Sequence, residues 1–165
     1  MDADAPVSGK ITPFLWFDGQ AEDAANFYVS VFRDNSRIVS VSRYPENSPG
    51  EPGSVMTVEF ELGGDTFIAL NGGPEYQFTP AVSFSIECKN QEEVDWYWSR
   101  LTEGGREVQC GWLQDKYGLS WQVVPTLLPE LLKSDDEKKA DAVMQAMLKM
   151  VKLDIKTLQE AYDRA

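Results

Sequence analysis

Apolar positions along the chain fall first into a short strand-like run, then into a stripe of helical spacing, and the order later repeats. Residues 11–17 (ITPFLWF) read as a strand that Asp18-Gly19 turns. Ala24, Phe27, Tyr28, Val31 and Phe32 follow at i, i+3, i+4, i+7 and i+8, the stripe of a helix packed on a sheet. Ile38, Val39 and Val41 predict a second strand, and residues 44–53, with three Pro and two Gly, predict a loop. Residues 55–62 and 65–70 then predict a hairpin. Gly63-Gly64 between them suits a two-residue turn that needs positive φ at both positions. Residues 71–74 (NGGP) close this half.

The second half repeats the order. Residues 82–88 predict a strand, and Asn90 with Glu93 three positions on predicts a helix N-cap. Val94, Tyr97, Trp98 and Leu101 give the helix stripe, which Gly104-Gly105 ends. A short strand near Val108, strands at 112–116 and 119–124, and a Tyr117-Gly118 turn complete a second βαβββ unit. An offset of 70 maps Phe14 onto Phe84, Trp16 onto Ile86, Ala24 onto Val94, Phe27 onto Tyr97, Tyr28 onto Trp98 and Val31 onto Leu101. Such an echo predicts a duplicated unit, each half too small to bury its own apolar face. The expected fold is α+β: two βαβββ modules form curled mixed sheets around a cleft, with C-terminal helices added. The expected spans are a flexible N-terminus at 1–10, modules at 11–74 and 75–128, and a helical extension at 129–165.

Pro125 and Pro129 break the repeat. Beyond them, Ser134 with Glu137 reads as a capping box, with Asp135 and Asp136 at the positive end of the helix dipole. Ala140, Val143, Met144, Met147, Leu148 and Val151 share one apolar face, and a second helix starts near Asp154 with Ile155, Leu158 and Tyr162. These helices cover either their own sheet or a second copy of the chain.

Charge narrows the partners. The net charge is −12, and residues 1–128 carry 19 acidic against 8 basic side chains. An acidic body without a basic stripe repels phosphate backbones, so no nucleic-acid partner is expected. No apolar run reaches the roughly 18 residues of a membrane span, and the start (MDADAPVSG) lacks the cationic and apolar regions of a signal peptide. A soluble, cytoplasmic protein is expected, with Cys88 and Cys110 as reduced thiols.

The segments ITPFLWFDGQAEDAANFYVSVF, LNGGPEYQFTPAVSFSIEC, CGWLQDKYGLSWQVVP and AVMQAMLKMVKLDI together carry a resemblance. The chain resembles the PhnB-like branch of the vicinal oxygen chelate superfamily (glyoxalase, bleomycin-resistance and extradiol-dioxygenase proteins). That branch often bears the description 3-demethylubiquinone-9 3-methyltransferase. The resemblance implies paired βαβββ modules and a homodimer. It places the metal ligands of metal-dependent members at Thr12 or Pro13, Ile68 or Ala69, Ser83 and Gln122. Only Gln122 has a ligand-like side chain there, and the chain contains no His, so no metal is expected. No cofactor is expected either. The Gly pairs sit at turns and helix ends rather than on a strand-to-helix phosphate loop, which speaks against a nucleotide-type methyl donor.

Without His, acid–base work would fall to a carboxylate, Tyr, Lys or Cys. Glu59 and Glu61 share one strand face, either solvated or lining the cleft. Asp115, Lys116 and Tyr117 read as a hairpin turn, and Cys110 lacks a local base. The stronger expectation is recognition of a small-molecule ligand by Phe14, Trp16, Asn71, Tyr76, Phe78, Trp112 and Gln122, an aromatic wall with amide tips. Trp121 and Gln122 are adjacent on a strand and must face opposite ways, and the resemblance implies that Gln122 is the one facing inward. Metal-independent binding is the leading function. An enzyme of unidentified reaction using carboxylates or amides, and a structural dimer whose pocket Trp16 or Trp121 fills, are the alternatives.

Overall fold

The computed structural model describes residues 9–165, which divide into two units, the first ending at Gln77 and the second running from Phe78 to Ala165. The expected flexible N-terminus at 1–10 lies, up to residue 8, outside the described residues. Unit one runs β1 (Phe14–Phe17), α1 (Ala21–Val31), β2 (Arg37–Arg43), β3 (Val55–Leu62) and β4 (Asp65–Asn71). Its sheet has the order β1-β4-β3-β2, with β1 parallel to β4 and the other pairs antiparallel. Alternation puts Leu15, Phe17, Val58, Phe60, Leu62, Phe67 and Ala69 on one buried face. The helix covers that face with Ala21, Ala24, Ala25, Tyr28 and Val31, all buried. Small residues let α1 come close, so the Tyr28 ring stacks on Phe60 at 6.2 Å and Phe60 on Phe67 at 5.6 Å. The hairpin turn forms where expected, with φ of 57° and 91° at Gly63 and Gly64.

Unit two repeats the topology with β5 (Ser83–Cys88), α2 (Gln91–Thr102), β6 (Arg106–Glu107), β7 (Trp112–Gln114) and β8 (Ser120–Pro125). The order is β5-β8-β7-β6, so each unit is a βαβββ module with an open mixed sheet. Asn90 caps α2 by accepting from the Glu93 N–H at 2.9 Å, while Glu93 accepts from the Lys89 N–H at 2.7 Å. The strand expected at 112–116 stops at Gln114 because Asp115 turns the chain. Its carboxylate is 3% exposed and accepts from the backbone N–H groups of Tyr117 and Leu119 and from the Trp121 indole. The segment is the turn that was expected, and the buried Asp115 carboxylate ties it together.

The internal echo needs one correction. Ala24, Tyr28 and Val31 match Val94, Trp98 and Leu101 at the offset of 70, and all six are buried. The strands do not match at that offset: Trp16 is half-buried on the face away from α1, whereas Ile86 is buried. Leu15 and Phe17 instead correspond to Ile86 and Cys88, an offset of 71. Three residues join β1 to α1 and two join β5 to α2. A one-residue difference exchanges the two faces of a strand, so helix and strand cannot share one offset.

The tail packs on unit two. The repeat ends where expected: Pro125 closes β8, and Pro129 sits in the first turn of α3 (Leu127–Leu132), where a missing N–H costs nothing. Then come α4 (Glu137–Leu148) and α5 (Ile155–Arg164). The cap of α4 is Asp136, not Ser134; Asp136 accepts from Lys138 and Lys139, while the Ser134 hydroxyl pairs with that of Tyr162. Leu128, Leu131, Val143, Leu153 and Leu158 form the core of the extension. The expected apolar face of α4 is only partly used: Val143 is buried and Leu148 is 52% exposed. Gln91 latches the tail to α2, accepting from the Ile155 N–H at 2.8 Å and donating to the Leu153 carbonyl at 3.1 Å.

The Asp115 knot yields a measurable cost. Asp115→Ala strands up to three buried donors, each worth about 1–3 kcal/mol, so urea unfolding should show a loss of about 3 kcal/mol or more. Asp115→Asn, which keeps one acceptor, should lose less. A loss below about 0.5 kcal/mol for the alanine variant, the range of an ordinary surface change, would contradict the assignment.

Candidate ligand-binding site

The face of the first sheet turned away from α1 begins with Phe14 and Trp16 on β1. Trp16 is held from two sides. Its indole N–H donates to the Gly73 carbonyl at 2.9 Å, and its ring meets Tyr76 edge-to-face, with centroids 5.0 Å apart and planes at 78°. Gly72 makes this approach possible, because a Cβ there would lie 2.2 Å from the Trp16 ring. Phe14, two residues back on the same face, is 58% exposed, and Tyr76 is 64% exposed.

Asn71, at the end of β4, spends its amide on the fold. Its Oδ1 accepts from the Ala21 N–H at 2.9 Å, and its Nδ2 donates to the Val55 carbonyl at 3.1 Å. The Tyr44 hydroxyl donates to the Asn71 carbonyl. These bonds tie the start of α1 and β3 to the strand end from which Gly72 and Gly73 hold Trp16. The same anchor borders a cavity of about 270 Å³ edged by Glu22, Asp23, Tyr44 and Ser54, a feature sequence reasoning missed. Its walls come from four separated segments, which the Asn71 and Tyr44 bonds join.

Unit two carries Phe78, Trp112 and Gln122. Trp112 lies directly across from Gln122 in the β7–β8 register, and both are half-buried. The Gln122 amide donates to the Ser83 hydroxyl at 3.0 Å. Trp121 points the other way; it is 2% exposed, and its indole donates to Asp115 at 2.9 Å. It therefore does not fill the open face. Phe78 is half-buried in the segment before β5.

The remaining chemical candidates separate. Glu61 pairs with Arg37 at 3.1 Å, whereas Glu59 accepts from the Ser40 hydroxyl at 3.4 Å. Burial, reinforced by Glu93, pushes the Cys88 thiol up to about 12, so it is no nucleophile. Cys110 is half-buried with a φ of 58°. At the positions where the resemblance implies metal ligands, Ala69 is buried on the α1 side and Gln122 is engaged with Ser83. Among the described residues, no three His, Cys, Asp or Glu side chains converge. This donor set does not fit a first-row divalent metal.

Residues 9–124 match the family described as 3-demethylubiquinone-9 3-methyltransferase. Among solved structures, the PhnB protein of Bacillus cereus, which bears the same methyltransferase description, is 42% identical. That match covers 71% of this chain and 99% of that one at a TM-score of 0.65. Protein PA1353 of Pseudomonas aeruginosa is 19% identical over 70% of this chain and 96% of its own, at a TM-score of 0.58. The fosfomycin resistance protein FosX of Listeria monocytogenes, solved with Mn(II) and sulfate, is 17% identical over 76% and 97%, at 0.52. The last two likenesses show the fold alone. No curated protein matches. The chain belongs to the PhnB-like family that bears the 3-demethylubiquinone-9 3-methyltransferase description.

The opposite facing of Trp121 and Gln122 separates stability from surface chemistry. Trp121→Ala should cost on the order of 3–5 kcal/mol in denaturant unfolding, as large core truncations do. Gln122→Ala should leave the melting temperature within about 4 °C, since it removes a half-buried amide whose bond is worth about 1 kcal/mol. Equal losses in the two variants would contradict the facing.

Proposed function

We propose that this PhnB-like chain binds an organic small molecule without a metal, on the open faces of its sheets. The observation that carries the reading is the immobilised Trp16 ring, flanked by two solvent-reaching aromatics, Phe14 and Tyr76. A ring already fixed loses little entropy when a flat or apolar ligand stacks on it. Asn71 serves the site by fixing the strand end behind Trp16. In unit two, Trp112 beside the Ser83–Gln122 pair offers a second face of more polar character. The methyltransferase description does not extend to this reading, because the glycines lie at turns rather than on a phosphate loop. The two free thiols support a reducing, cytoplasmic setting, and among the described residues no helix is long and apolar enough to cross a membrane.

Calorimetric titration with phenylbutanol tests the site. Saturable binding is expected, weakened about tenfold or more by Trp16→Ala, roughly 1.4 kcal/mol. Gly72→Ala should weaken it as well, since the added methyl displaces the ring. Binding unaffected by both variants would overturn the placement.

The chain is also read as a homodimer, a reading that the exposed Ile11, Val82 and Leu148 support. Light scattering at micromolar concentration should then return twice 18.5 kDa. A value of one chain mass would contradict it.

A further inference from the structure

The register of the first sheet places one carboxylate at the border of this aromatic face. Phe14 pairs with Ile68, Ile68 with Glu59, and Glu59 with Ser40; one step along, Trp16, Leu70 and Thr57 form the next row. Phe60 stacks on Phe67 and Tyr28 beneath α1, so alternation turns Glu59 to the open side. The face therefore grades from aromatic through aliphatic to acidic. Strands lie about 4.8 Å apart, which sets Glu59 about 10 Å from Phe14.

The two glutamates of β3 differ in their partners. Glu61 has Arg37. Among the described residues Glu59 forms no ion pair, and its contact is the neutral Ser40 hydroxyl. A half-buried carboxylate beside apolar surface, without a cation, gains from a ligand that brings one. We infer that the ligand is an amphiphilic organic cation whose apolar body lies on Trp16, Ile68 and Leu70 and whose ammonium group pairs with Glu59. This rests on the binding face proposed above and assigns its specificity. The net charge of −12 favours approach of such a ligand, and the aromatic wall tolerates a cation over its rings.

Three probes of one skeleton test it: phenylbutylamine, phenylbutanol and phenylbutyrate, titrated by calorimetry at fixed ionic strength. The amine should bind about tenfold tighter than the alcohol, and the acid weakest, as a charge-assisted bond to a half-buried carboxylate provides. Glu59→Gln should abolish the amine's advantage and leave the alcohol unchanged. Glu61→Gln should preserve the advantage, with thermal melts confirming that both variants fold. Equal binding of amine and alcohol, or an advantage that survives Glu59→Gln, overturns the inference. In that event, alcohol binding that still depends on Trp16 leaves the binding face standing. No Trp16-dependent binding by any probe overturns both.

Discussion

A four-stranded sheet has two faces, and each βαβββ unit owns one helix to cover them. In unit one, α1 takes the face of Leu15, Phe17, Val58, Phe60, Phe67 and Ala69. Alternation then commits Phe14, Trp16, Glu59, Ile68 and Leu70 to the opposite face. In unit two, Trp121 goes beneath with Val123, and Gln122 remains on the side of Trp112 and Ser83. In unit one the chemistry of the open face follows from this one-sided cover, because the residues available for recognition are those the helix cannot bury. In unit two the tail also packs against Val124, on the side of Gln122.

Much of the architecture was legible because hydrophobic period is a strong local signal. The order of strands and helices, the Gly63-Gly64 turn and the Asn90 cap each appear in the pattern and in the fold. The failures have local causes. One offset was read for strand and helix together, and the one-residue difference between two connections reversed the strand match. Ser134 and Asp136 are both good caps, and which one serves depends on Ser134 meeting Tyr162 across the tail. Sequence spacing does not show that contact.

The site was less legible than the fold. Aromatic content pointed to Trp16 and Tyr76, but their mutual edge-to-face contact depends on Gly72 and Gly73, which read only as turn residues. Asn71 borders the cavity of unit one, but that its amide also joins α1 to β3 is not visible in the sequence. Glu59 and Glu61 looked equivalent until Arg37 was seen to take one of them. Family membership does not supply the missing chemistry, because one fold hosts many unrelated functions.

The central claim is that the fixed Trp16 ring is where a small molecule docks. Proton–nitrogen NMR resolves it directly, since each of the five Trp side chains gives its own indole N–H signal. On titration with phenylbutanol, the Trp16 signal should shift to saturation while that of Trp121, buried against Asp115, stays in place. A Trp16 signal unmoved at saturating probe, or a shift confined to Trp121, would contradict the account.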